Sequence, residues 1–346
     1  MTDKTGKLKA HGKTVCFYTN NRFIEGFIMK VVILERDTLT TGDMDFSPFD
    51  GLGSVEYYNS IKGEHLKETV RDAELVFINK TAYNKELFEA SKNLKFIGIF
   101  ATGFNNVDLD EATKRGVTVC NVPAYSTSSV AQLTVTFILE LASNLSLYNK
   151  STHGGKWIES STFSYFPYKF SEIEGKTLGI FGLGDIGISV AKRAIAMGMR
   201  VIAYTRTPKE VEGVTLVEKD ELFKQSDYLT LHSPLNAQTE KTVNEYTLSL
   251  MKPTAFIINT SRGGVIDEPA LANALKSRKI AGAALDVLTK EPMQKDCPLH
   301  GLDNCIITPH IAWTTEEARR RLLKVAFENA VSFLNGNPQN VVNTKI

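Results

Sequence analysis

The residue types able to do chemistry fall in one stretch of the chain. Gly182, Gly184 and Gly187 stand at the spacing G-x-G-x-x-G within Thr177-Leu-Gly-Ile-Phe-Gly-Leu-Gly-Asp-Ile-Gly187. That spacing suits a diphosphate approaching the backbone. The first glycine permits a tight turn, the second offers no Cβ, and the third lets a helix pack closely on a sheet. Downstream, Arg262 lies in Asn259-Thr-Ser-Arg-Gly-Gly-Val-Ile-Asp267. Asp286 and Glu291 lie in Ala284-Leu-Asp-Val-Leu-Thr-Lys-Glu-Pro292, and His310 in Thr308-Pro-His-Ile-Ala-Trp313. An arginine is a permanently charged planar fork suited to a carboxylate. A histidine with a carboxylate is suited to moving a proton. Taken singly, Arg262 reads equally well as a surface arginine, Glu291 as a solvated loop acid, and His310 as a structural histidine.

The elements that must hold these groups tip the balance. Thr177–Phe181 is a short apolar strand, and Ile186, Val190, Ala191 and Ala194 begin the apolar face of a helix. A second strand follows at Arg200–Tyr204, which makes a Rossmann unit. Further strands are expected at Tyr228–Leu231, Ala255–Asn259, Ala281–Leu285 and Cys305–Ile307, with helices at Lys219–Gln225, Thr247–Leu250 and Glu268–Ser277. Arg262, Glu291 and His310 then sit on loops at or just past strand ends, on one rim of a nucleotide-binding sheet. Together they outweigh their separate bland readings.

Upstream, strands are expected at Val31–Leu34, Val55–Tyr58, Leu75–Asn79, Phe96–Phe100 and Val117–Cys120, with helices such as Lys85–Lys92 and Leu109–Arg115. That is a smaller open α/β sheet. The loop Ala101–Asp108 follows a strand's carboxyl end, where ligands of such sheets sit, although spacing alone favours a plain turn. Ser126–Tyr148 reads as one long helix, apolar on most sides, that is either an interdomain spine or a surface for a second subunit. His153–Ile173 is an aromatic-rich loop crossing the surface. Glu316–Gly336 is an amphipathic helix expected to return to the first lobe. The expected domains are 29–125 with 313–346, and 126–312. Residues 1–28 are polar and without period, and are expected to be a leader outside the fold, with Met29 the natural start.

The 346 residues have room for about two domains. A net charge of +1 offers no electrostatic footprint for nucleic acid or an anionic membrane. Cys16, Cys120, Cys297 and Cys305 form no C-x-x-C pair, which suggests neither a zinc site nor a disulfide framework. No apolar run is long enough to span a bilayer. A reduced, cytoplasmic protein is expected.

The fingerprint, Thr260-Ser-Arg-Gly-Gly-Val-Ile-Asp267, Leu285-Asp-Val287 with Glu291-Pro292, and Thr308-Pro-His310 resemble the D-isomer-specific 2-hydroxyacid dehydrogenases. The resemblance runs from Met29 to the end, through Asn121-Val-Pro123 and Asn337-Pro-Gln-Asn-Val-Val342. Trp157 with the Phe163–Pro167 loop, and Pro309-His-Ile-Ala-Trp313, are most similar to the hydroxypyruvate reductase and glycerate dehydrogenase branch.

This resemblance implies two Rossmann-like α/β lobes. One is a doubly wound parallel-sheet dinucleotide-binding domain, the other a smaller flavodoxin-like substrate domain. It implies NAD(P)-dependent reduction of a small 2-keto acid, such as hydroxypyruvate or glyoxylate, to the D-2-hydroxy acid, and the reverse oxidation. Arg262 would bind the substrate carboxylate and polarise the keto oxygen. Thr102 and Gly103 would offer backbone N–H groups to the same carboxylate, with Trp313 also at the substrate. His310, protonated, would supply the proton while the reduced nicotinamide supplies the hydride. Glu291 would pair with His310, favouring the imidazolium and fixing the ring. Asp286 would hold the nicotinamide carboxamide. The resemblance also implies dinucleotide contacts from Gly182, Gly184, Asp185, Ile186, Gly187, Thr205, Arg206, His232, Pro234, Thr239, Thr260, Ser261, Arg262 and His310. A departure from the family's pattern is Gln132, where a Glu is common.

Three expectations remain open to choice. A D-lactate or other 2-keto acid reductase stays within the family, because pocket size decides between substrates. A dinucleotide-sensing corepressor-like protein would keep the fingerprint, but the chain lacks long tails for docking partners. The cofactor depends on the second strand, Val201-Ile-Ala-Tyr-Thr-Arg-Thr-Pro208, which carries no carboxylate for the ribose hydroxyls. Thr205, Arg206 and Lys209 instead suit a 2′-phosphate, so NADP(H) is favoured, with NAD(H) possible. The apolar content of 126–148 and the aromatic loop after it lead to an expected homodimer.

Overall fold

The computed structural model describes residues 29–343, so the expected leader over 1–28 lies outside the described residues. The chain divides into two units at Ser126/Thr127 and Thr315/Glu316. The expected boundaries, after 125 and 312, fall one and three residues earlier. The observed ones coincide with the starts of two long helices, at Thr127 and Glu316.

The first unit is built on β1 (Lys30–Ile33), β2 (Ser54–Tyr57), β3 (Leu75–Ile78), β4 (Phe96–Ile99) and β5 (Thr118–Cys120), with α1 (Gly63–Val70), α2 (Lys85–Ala90) and α3 (Leu109–Lys114) between them. The strands are all parallel, in the order β2-β1-β3-β4-β5. That is the flavodoxin-like winding. β1, β3 and β4 are almost wholly apolar and buried, as strands covered on both faces must be.

The second unit opens with α4 (Thr127–Ser143) and α5 (Leu145–His153). Its sheet comprises β6 (Thr177–Phe181), β7 (Arg200–Tyr204), β8 (Val214–Leu216), β9 (Tyr228–Leu231), β10 (Phe256–Asn259), β11 (Gly282–Leu285) and β12 (Cys305–Ile307). Its other helices are α6 (Asp185–Ala196), α7 (Lys219–Gln225), α8 (Glu245–Leu250) and α9 (Glu268–Lys276). All seven strands are parallel, in the order β12-β11-β10-β9-β6-β7-β8. The direction of winding reverses between β6 and β9, and the crevice for a ligand in such a sheet opens at that point, past the carboxyl ends. Short polar residues start the helices. Asn84, Asp108, Asn244 and Asp267 each accept the N–H three residues on, which satisfies a donor the helix itself cannot.

Finally α10 (Glu316–Leu334) belongs to the first unit. Its Phe327 meets Phe49 at 5.8 Å between ring centroids, and its Phe333 meets Phe96 at 5.1 Å. Asn329, buried within this helix, donates to the Asn121 carbonyl at 2.8 Å. The segment beyond returns to the edge of β5, where the Val342 N–H bonds the Val119 carbonyl at 2.9 Å.

Two features differ from expectation. The long helix over 126–148 is two helices. Asn144 takes the left-handed conformation at φ 52°, and the axes bend by 58° there. Asparagine tolerates that conformation better than other non-glycine residues. Its side chain is used as well, donating to the Lys169 carbonyl at 2.7 Å and tying the following loop back to the break. The second feature is β8, which no sequence signal marked. Among the described residues no single helix is long and apolar enough to cross a membrane.

Candidate active site

The glycine-fingerprint turn leaves β6 at Gly182, whose φ of +100° is open to glycine at little cost. A Cβ there would lie 2.8 Å from the His232 carbonyl carbon at the end of β9. At Gly187 a Cβ would lie 2.3 Å from the Gly182 oxygen, so the first turn of α6 packs against the loop it leaves. Gly184, the residue preceding α6, is different: a Cβ there would meet nothing within 4 Å. The backbone at Gly184 faces open space, with Asp185, Ile186 and Gly187 opening the helix behind it.

Two further observations fit a dinucleotide in that space. His232 Nδ1 and Ser233 Oγ, neighbours past β9, are both sealed from water with no hydrogen-bond partner among the described residues. Unpaired buried polar atoms cost free energy, so two adjacent ones mark a place where a polar ligand is expected. His232 Nε2 is 3.0 Å from Thr230 Oγ1. Burial pushes the ring's pKa down to about 3, so it is neutral and can offer one donor and one acceptor.

This has a consequence for stability. A histidine whose folded pKa is depressed binds its proton more readily in the unfolded chain. Stability therefore falls as pH drops below about 6.5 toward 3. The cost at pH 5.5 is about 1.2 kcal/mol relative to neutral pH. Urea unfolding of the ligand-free protein at both pH values should show this loss, and His232→Asn should show less of it. Equal losses in both proteins would contradict the burial.

The remaining groups line the same rim. At the end of β10, Asn259 is fully buried and shapes the loop that follows. Its Oδ1 accepts from the Ser261 N–H at 3.0 Å and from Ser261 Oγ at 2.8 Å, and its Nδ2 donates to the Arg262 carbonyl at 2.9 Å. Thr260 Oγ1 is 3.1 Å from Thr134 Oγ1 of α4. Arg262 is exposed, with Nη1 donating to the Ser261 carbonyl at 2.8 Å. Past β12, His310 sits at φ 56°, an uncommon position for a residue with a Cβ. Its N–H donates to the Asp286 carbonyl at 2.9 Å. Its Nδ1 lies 2.7 Å from Glu291 Oε2, and Glu291 Oε1 accepts from the Leu288 N–H at 2.9 Å. With Nδ1 engaged by the carboxylate, Nε2 is the ring atom left to carry a proton outward.

Asp286, expected at the nicotinamide carboxamide, also has structural partners of its own. In the structure the residue is 1% exposed. Its Oδ1 accepts from Thr308 Oγ1 at 2.6 Å and from the Ile311 N–H at 2.8 Å, and its Oδ2 accepts from the Ala312 N–H at 2.8 Å. Desolvation raises its pKa against the lowering effect of those bonds. The carboxylate thus braces the loop that holds His310 in its left-handed turn, and at most one acceptor position on Oδ2 remains for a ligand.

Of the other expected residues, Thr205 and Arg206 follow β7, and Arg206 Nη1 reaches Gln238 Oε1 at 3.3 Å. Pro234 and Thr239 shape the loop after β9, with Thr239 Oγ1 donating to the Pro234 carbonyl at 2.6 Å. Trp313 lies half-buried three residues past His310. Thr102 and Gly103 belong to the first unit, past β4. There Thr102 Oγ1 donates to the Val122 carbonyl at 2.8 Å, and Asn121 Nδ2 donates to the Thr102 carbonyl at 2.7 Å. Sequence reasoning missed Ser233, Asn259, Gln238 and Thr308. The only signal for Ser233, Asn259 and Thr308 was position, at or just past a strand's carboxyl end, and Gln238, farther along the loop after β9, had none.

Known proteins show the same architecture. Residues 135–312 match the family described as D-isomer specific 2-hydroxyacid dehydrogenase, NAD binding domain. The chain is 41% identical over 321 residues to a hydroxypyruvate reductase of Blautia hydrogenotrophica, which covers 91% of this chain and all of that one. It is 37% identical over 316 residues to a glycerate dehydrogenase of Methylorubrum extorquens, covering 90% and 98%. Among solved structures, an acyclic imino acid reductase in complex with NADPH and D-Arg superimposes with a TM-score of 0.81 at 32% identity, covering 91% of this chain and all of that one. On this fold, this rim of residues and this similarity over nine-tenths of its length, the chain belongs to the D-isomer-specific 2-hydroxyacid dehydrogenase family.

Proposed function

We propose that this protein reduces a small 2-keto acid, hydroxypyruvate or glyoxylate, to the D-2-hydroxy acid and catalyses the reverse oxidation. The observation that carries the reading is the 2.7 Å contact between His310 Nδ1 and Glu291 Oε2, on the rim that also bears the glycine fingerprint and Arg262. A reduced nicotinamide dinucleotide, when bound, supplies the hydride. Gly184, the start of α6, His232 and Ser233 hold its phosphates and ribose, with Thr260, Ser261 and the free acceptor position of Asp286 toward the nicotinamide end. Arg262 grips the substrate carboxylate and draws charge onto the keto oxygen. Trp313 limits the size of the substrate. His310 Nε2 gives its proton to the developing alkoxide. Glu291 orients the ring and balances its charge. Oxidation of NADH and NADPH in the presence of hydroxypyruvate, glyoxylate, pyruvate and longer 2-keto acids ranks the substrates. A preference for a bulky keto acid over hydroxypyruvate and glyoxylate would overturn the small-substrate reading.

NADPH is used at least as well as NADH in this reading. The support is the absence of a carboxylate from Val201 to Pro208, and a guanidinium, Arg206, in its place. A charge-assisted contact to the 2′-phosphate makes Arg206→Ala cost about 10- to 100-fold in kcat/KM with NADPH and much less with NADH. Equal losses with both cofactors would refute it.

The protein is a cytoplasmic homodimer in the same reading. Trp157, Ile158, Phe163, Phe166 and Phe170 are all exposed on the loop that follows α5, and Leu139 and Leu145 are exposed on α4 and α5. Monomeric proteins seldom leave so many large apolar side chains on one segment. Sedimentation at micromolar concentration should give a dimer that Ile158→Asp with Phe163→Asp dissociates. A wild-type monomer would contradict this.

A further inference from the structure

We propose that Gln238 is a second determinant of dinucleotide choice, forming with Arg206 a site for the 2′-phosphomonoester of NADP(H). The inference rests on the reading of Arg206 above. Arg206 stands two residues past the end of β7, and Gln238 stands on the loop past β9. β7 and β9 flank β6, the strand that leads into the glycine fingerprint. The two side chains meet through the bond from Arg206 Nη1 to Gln238 Oε1 at 3.3 Å.

The loop that carries Gln238 is built by its own hydrogen bonds. The Gln238 N–H donates to Asn236 Oδ1 at 2.9 Å, and the Asn236 N–H donates to Thr239 Oγ1 at 2.9 Å. The Glu240 N–H donates to the Asn236 carbonyl at 2.8 Å. This turn fixes where Gln238 starts, and Gln238 in turn restrains a long exposed arginine. Ordering such a side chain in advance lowers the entropy lost when an anion binds.

The chemistry of the pair is one-sided. The amide oxygen is occupied by Arg206, which leaves the amide NH₂ with two donors. Arg206 retains further donors in its planar fork. Toward a ligand the pair therefore presents hydrogen-bond donors and one positive charge, which suits a phosphomonoester. A glutamate at position 238 would make the same bond to Arg206 but would cancel its charge and repel the phosphate.

Titration calorimetry with adenosine 2′,5′-bisphosphate and adenosine 5′-monophosphate tests this. The two probes differ only in the 2′-phosphate. The wild-type protein should bind the bisphosphate more tightly, by about tenfold or more. Gln238→Glu should lower that preference by about 10- to 100-fold and Gln238→Ala by about 3- to 10-fold. Taking the ratio within each variant cancels any general loss of binding. If both Gln238 variants keep the wild-type ratio while Arg206→Ala loses it, Arg206 acts alone and this inference falls. A wild-type protein with no preference for the bisphosphate would overturn the cofactor reading, and this inference with it.

Discussion

His310→Ala is expected to slow keto-acid reduction by about 10²–10⁴-fold, the usual worth of a positioned general acid, while a dinucleotide still binds. The ring's Nε2 is the atom that can deliver a proton, because Nδ1 is engaged by Glu291 at 2.7 Å. The fingerprint lies on the β6 turn and makes no use of that ring. Arg262→Ala should lower turnover and substrate affinity together, because in the proposed reaction one guanidinium would both grip the carboxylate and stabilise the charge forming on the keto oxygen. Glu291→Gln separates the roles further. Without the carboxylate, Nδ1 loses the acceptor that orients the ring, so turnover should fall while the dinucleotide still binds. Turnover near wild type in either alanine variant would contradict the assignment. Full turnover in the glutamine variant would remove Glu291 from it.

The second large effect is expected from one methyl group. Gly263 is buried beside Arg262, and a Cβ built on it would lie 1.9 Å from the backbone carbon of Leu288. Backbone atoms cannot step aside as a flexible side chain does. In Gly263→Ala either the Arg262 loop or the segment leading to Glu291 must move. Leu288 itself donates to Glu291 Oε1 at 2.9 Å, so its displacement reaches the carboxylate that orients His310. Overpacking of this kind costs about 1–3 kcal/mol in stability. A displacement of about 1 Å at the reacting groups costs about 10²-fold in rate. Steady-state kinetics and urea unfolding of the variant measure both. A variant as active as wild type would show that the two loops do not press on one another.

What could be read before any coordinates was what local order encodes. The fingerprint was legible because a five-residue apolar strand, three glycines at fixed spacing and a helical apolar face stand next to one another. The break at Asn144 was not, because an asparagine within an apolar run reads as part of the helix whichever way its φ turns. β8 was missed because its three residues are largely exposed and alternate weakly. At the site, the types of Arg262, Glu291 and His310 were visible, but the contact between Glu291 and His310 spans 19 residues and is made by the fold. Asp286 illustrates the limit most clearly. The resemblance implied a ligand contact for it, while the bonds its carboxylate accepts from Thr308, Ile311 and Ala312 are made by the fold and had no signal in the sequence. Ser233 and Asn259 looked like ordinary turn residues. Only the fold shows that one is buried with no hydrogen-bond partner among the described residues and that the other organises the arginine loop.

The central claim is that this rim of residues reduces a small 2-keto acid to the D-hydroxy acid. It is tested by incubating the purified protein with NADPH or NADH and hydroxypyruvate or glyoxylate, following dinucleotide oxidation and the configuration of the glycerate formed from hydroxypyruvate. Stoichiometric oxidation with D-glycerate as the product, lost in His310→Ala, is the predicted result. Tight binding of the dinucleotide with no oxidation by hydroxypyruvate, glyoxylate, pyruvate or any longer 2-keto acid would contradict it.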